Sequence, residues 1–209
     1  MTLAQSERAA LADLFAELGP DQPTLCEGWQ TRDLLVHLII RERRPDAAVG
    51  TAVKPLEGWT KKVAAGYADR PWTELIEEYR TGPQKWNPMR WSKVDELANG
   101  GEMFIHHEDA RRGQPGWAPR TFDEDTTQTL IGMIDSPLSR LAVRKSPVGV
   151  VAEVPGGRTI QLKSGEPAVT LNGEPGEILL WLSGRRACRV ELKGEPQAVD
   201  ALNALQRGI

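Results

Sequence analysis

Apolar residues recur every three to four positions over most of the first two-thirds of the chain. Leu3, Ala10, Leu11, Leu14, Phe15 and Leu18 form one such stripe, which Gly19-Pro20 stops, and the spacing predicts a helix over 3–18. A connector holding Pro23, Cys26, Gly28 and Trp29 follows. Thr31, read as an N-cap, then opens a second helix through Leu34, Leu35, Leu38 and Ile39 to about Arg44. A looser helical stretch covers 56–68. Pro71-Trp72-Thr73-Glu74 reads as another helix start, with Gly82-Pro83 beyond its end. Ser92 and Gly113 bound a long helix over 92–112, and the acidic turn Asp123-Glu124 begins one that Pro137 interrupts.

The period changes after about Ser146. Val148–Val154 and Arg158–Leu162 are strand-like runs flanking Pro155-Gly156-Gly157, a hairpin signal, and Val169–Leu171 leads into the turn Asn172-Gly173. Pro175–Leu182 reads as a helix, Ala187–Leu192 as a strand and Pro196–Leu205 as a closing amphipathic helix. The expected class is therefore mainly α with a small α+β second domain: a helical bundle over 1–142 and a sheet-and-helix domain over 146–209.

Composition narrows the function classes. Lys and Arg number 26 against 29 Asp and Glu, so the bulk positive charge that phosphate neutralisation needs is missing and a nucleic-acid partner is not expected. The longest apolar runs, Leu34–Ile40 and Ile178–Leu182, fall far short of the roughly 20 residues that span a bilayer. Glu7, Arg8 and Asp13 break the first fifteen residues where a signal peptide would be apolar. The two cysteines, Cys26 and Cys188, are too few for a disulfide scaffold and read as free thiols. These features predict a cytoplasmic protein; no pattern specifies an oligomeric state.

The chemistry concentrates on Glu102-Met103-Phe104-Ile105-His106-His107-Glu108-Asp109. Four helical residues advance about 400°, so Glu102 and His106 stack on one face, along with Val94, Ala98 and Ile105. A carboxylate and an imidazole facing a bundle interior need compensation, which a metal ion or a plain intrahelical hydrogen bond would supply. His37 borders the apolar stripe of the second helix, so Glu102, His106 and His37 form an inward set from two helices, as in metal-binding bundles. Asp33 and Asp109 are placed to hold the outer imidazole nitrogens of His37 and His106. His107, about 100° further round, reads as an interhelix or surface residue and as the substitute ligand if the register slips by one. Cys26 reads either as a buried small hydrophobe or as a nucleophile or extra ligand. Arg41, one turn after His37, and Arg185, in the second domain, are candidates for contacting an anionic ligand. No general acid or base outside the ligand set stands out.

Thr24-Leu25-Cys26-Glu27-Gly28-Trp29-Gln30-Thr31-Arg32-Asp33-Leu34-Leu35-Val36-His37-Leu38 resembles the opening motif of the DinB-like superfamily, and more closely its mycothiol-dependent maleylpyruvate isomerase-like branch from actinobacteria. Gly176–Arg185 resembles part of the small α+β domain that follows the bundle there. The resemblance implies a DinB-like four-helix bundle with a divalent metal, zinc being the expected occupant, held by His37, Glu102 and His106 with coordination positions left open. It further implies mycothiol, a low-molecular-weight thiol, as a cofactor, and a small-molecule substrate. The resulting expectation is a metal- and thiol-dependent isomerase or transferase. The alternative is a non-catalytic, metal-dependent binding protein for a thiol or stress metabolite.

Overall fold

The computed structural model describes residues 1–48, 57–83 and 92–207. The start of the looser helix at 56 and the side chains of Val94 and Ala98 lie outside the described ones. The chain divides into two compact units, Met1–Trp117 and Ala118–Ile209.

The first unit holds helices α1 (Leu3–Leu18), α2 (Thr31–Arg43), α3 (Pro45–Ala48), α4 (Glu57–Ala65), α5 (Trp72–Arg80) and α6 (Ser92–Arg112). Helices α1, α2, α5 and α6 follow the predicted periodicities closely, α4 ends short of the expected 68, and the single turn α3 is not among the expected helices. Helix α1 packs on α6, α5 and α2, and α2 packs on α5. Leu11, Phe15, Leu34, Leu35, Leu38, Ile39, Leu75, Tyr79 and Met103 are buried together between them. Phe15 is central, meeting Trp72 and Tyr79 edge-to-face at ring separations of 5.8 and 6.2 Å. Arg8 of α1 and Glu42 of α2 form a buried ion pair inside this packing.

Local details at the start of α2 differ from expectation. Gln30, not Thr31, is the N-cap. The Thr31 hydroxyl donates to the Gly19 carbonyl at 2.5 Å and accepts from the Gln22 N–H at 3.3 Å, tying the connector to the end of α1. A tertiary partner thus claims the side chain that a cap would have used.

The second unit holds α7 (Glu124–Ile134), α8 (Pro137–Val143), β1 (Gly149–Glu153), β2 (Thr159–Lys163), β3 (Ala168–Asn172), α9 (Pro175–Leu182), β4 (Glu191–Lys193) and α10 (Pro196–Asn203). The sheet order is β2-β1-β3-β4, with β1 antiparallel to β2, parallel to β3, and β3 antiparallel to β4. Helix α9 is buried along its whole length. Two expectations move. Helices α7 and α8, assigned to the bundle by their period, lie in the second unit, where Ile131 and Ile134 join a core with Ile178, Trp181 and Leu182. The last strand is short and late, because the Arg189 N–H donates to the buried Glu177 carboxylate at 2.6 Å rather than to a neighbouring strand.

Candidate metal centre

Helices α2 and α6 carry the site. The rings of His37 and His106 lie 5.2 Å apart, edge to face, and the His106 Nε2 is 3.5 Å from Glu102 Oε2 one turn back. Ligand atoms of His37, Glu102 and His106 all fall within 4.8 Å of one another. Tetrahedral zinc bound by nitrogen and oxygen at about 2.0–2.1 Å separates such donors by roughly 3.3 Å, so small side-chain adjustments suffice. His106 is buried, whereas His37 and Glu102 are half-buried, which leaves the set reachable from solvent.

The protonation states suit a cation. Burial, reinforced by the neighbouring His106, pushes His37 down to about 4, so its imidazole is neutral and ready to ligate. Burial works against ionised Glu102, yet the His106 hydrogen bond and the Arg41 charge hold it at about 2. His106 is the counter-case. Burial opposes its charged form, but hydrogen bonds to Asp109, Cys26 and Glu102 raise it well above the ordinary value. A divalent cation would take the place of its proton as the positive partner of Glu102.

Asp109 plays the part expected of it: its Oδ2 lies 2.9 Å from His106 Nδ1, fixing the ring with Nε2 toward Glu102. Asp33 does not. It is exposed and its carboxylate accepts the Gln30 N–H at 2.9 Å, closing the start of α2, where unpaired backbone donors compete for any carboxylate at that position. His107 turns away from the site and meets Glu7 of α1 at 2.6 Å in a buried interhelix pair. Arg41 stands 3.8 Å from Glu102 Oε1, beside the set. Arg185 belongs to the second unit and donates to the Ser183 carbonyl at 2.8 Å.

The connector around Cys26 reaches this region in a way the sequence did not show. The Leu25 N–H donates to the Asp109 carbonyl at 3.0 Å, and the turn closes with Trp29 N–H to Cys26 O at 2.9 Å. Gly28 in that turn has φ +75°, open to glycine at no steric penalty. A Cβ on Gly113 would stand 2.3 Å from the Pro23 carbonyl oxygen, so the connector seats on the end of α6 only because residue 113 is glycine. Gly113→Ala should destabilise the protein by about 1–3 kcal/mol, the usual penalty of overpacking, as read by urea unfolding. An unchanged midpoint would show that the connector can lift without loss.

No curated protein and no solved structure matches the chain. Among the described residues no helix is long and apolar enough to cross a membrane. Glu102 and His106 lie beyond the one segment that a family model covers, so their part in the site rests on geometry alone. Residues 4–90, which include the opening motif and His37, match the family model for the Mycothiol maleylpyruvate isomerase N-terminal domain, a DinB-like family to which the chain is similar over this segment.

Proposed function

We propose that the first unit binds one divalent cation, with zinc the best-suited occupant, through His37, Glu102 and His106, and that the open coordination positions receive a low-molecular-weight thiol such as mycothiol. The observation that carries this reading is the convergence of two imidazoles and a carboxylate from α2 and α6 within 4.8 Å. Three protein donors leave a tetrahedral ion at least one exchangeable position. Held by His37, Glu102 and His106, a borderline-soft zinc ion would supply a site at which a thiol ionises more readily, giving a nucleophile at neutral pH.

The chain's own residues set the stage for that chemistry. Asp109 holds the His106 ring, and Arg41 offers a cation beside Glu102 to which a carboxylate of a small substrate can pair. The reaction class that fits is a thiol-dependent isomerisation or transfer on a small anionic molecule, in a cytoplasmic setting.

Cobalt substitution tests the thiol step, because cobalt–thiolate bonds give a charge-transfer absorption that nitrogen and oxygen ligands lack. In Cys26→Ser loaded with one equivalent of Co2+, the absorption should be absent until a small thiol is added and should then appear. Absence of any thiol-dependent absorption would overturn the thiol reading while leaving the metal reading standing.

A further inference from the structure

The second ring nitrogen of His106 faces a different donor set. Cys26 Sγ lies 3.3 Å from Asp109 Oδ2 and 3.9 Å from His106 Nδ1, and Asp109 Oδ2 lies 2.9 Å from the same nitrogen. Bond lengths of about 2.3 Å to sulfur and 2.0–2.1 Å to nitrogen and oxygen give tetrahedral donor separations of roughly 3.5, 3.5 and 3.3 Å. Each side of the observed triangle is therefore within about 0.4 Å of one face of a zinc-type tetrahedron.

The donors are also held in place. Asp109 is fully buried. The Cys26 N–H donates to Thr24 Oγ1 at 3.2 Å, and the Leu25 tether to the Asp109 carbonyl fixes the connector against α6. Cys26 itself is half-buried and borders a solvent-open depression lined by Pro23, Thr24 and Trp29, which gives an ion an entry path and a water for its fourth position.

We propose that Cys26, Asp109 and His106 Nδ1 form a second cation position, selective for thiophilic divalent ions, that alternates with the position built on His37 and Glu102. Alternation follows from the imidazole: a neutral ring has one lone pair, so Nδ1 and Nε2 do not both serve as ligands. Occupation releases the thiol proton, and a soft cation replaces it as the link between sulfur and the Asp109 carboxylate. Loading one position thereby empties the other, so a thiophilic metal would displace the first-site ion by taking its histidine.

Cadmium is the probe, since Cd2+–thiolate bonds absorb in the ultraviolet. One equivalent of Cd2+ added to the metal-free protein should produce this absorption. It should persist in His37→Gln/Glu102→Gln, which lacks the first set, and in Cys188→Ser. It should vanish in Cys26→Ser and in Cys26→Ala. No absorption in the parent protein, survival in the Cys26 variants, or loss in Cys188→Ser would each overturn the proposal. Zinc content keeps the two readings separable: Cys26→Ser should still carry one zinc, and failure of zinc binding there or its indifference to His37→Gln would count against the first site instead.

Discussion

His106→Ala should abolish stoichiometric zinc binding, while His107→Ala should retain it. Partners that merely orient a ligand are worth 10–100-fold in metal affinity, so removing a ligand itself should weaken binding by more than about 100-fold. The contrast between neighbours is the sharp part of the test. The two histidines are adjacent in sequence, yet His106 meets Glu102 and His37 whereas His107 is paired with Glu7 across α1. His107→Ala should instead register as stability, lowering it by about 1–3 kcal/mol through loss of a partner for a buried polar group. Metal analysis of the purified variants with urea unfolding separates these effects. Zinc lost in His107→Ala and kept in His106→Ala would reverse the assignment.

The largest loss of stability is expected from Glu42→Ala, at about 3–5 kcal/mol. Glu42 is five residues beyond His37 on α2, and its carboxylate pairs with Arg8 of α1 where both side chains are almost wholly buried. Truncating one member leaves the other charge in a medium that solvates it poorly, which is why the penalty exceeds that of an exposed pair. Replacing both members by apolar residues, as in Arg8→Met/Glu42→Leu, should recover most of the loss, since the desolvation of two charges disappears with them. Equilibrium urea unfolding of the single and double variants makes the comparison. A single variant within about 1 kcal/mol of the parent would show that water reaches the pair.

Much of the first unit was legible because its information is local. A 3.6-residue period with glycine and proline stops marks α1, α2, α5 and α6 almost to the residue, and the i,i+4 spacing of Glu102 and His106 puts them together on any helix. The strands β1, β2 and β3 and their turns were readable for the same reason. Partner choice was not. Asp33 and Asp109 stand in similar relation to a histidine, yet one serves the backbone of its own helix start and the other holds the imidazole. Helix α7 carries an ordinary amphipathic period that fits either unit, and only its packing on α9 assigns it. The strand expected over Ala187–Leu192 shortened because the buried Glu177 captured an N–H from it. Periodicity and turn residues alone located most helices and the first three strands, and spacing alone nominated two histidines and a glutamate as a candidate ligand set. Which carboxylate orients His106, that His107 faces α1, and that Cys26 approaches the far nitrogen of the same ring emerge only from the packing of α1, α6 and the connector. Periodicity sets which face of an element a side chain occupies. Which of several polar partners it meets there depends on distances between elements remote in sequence.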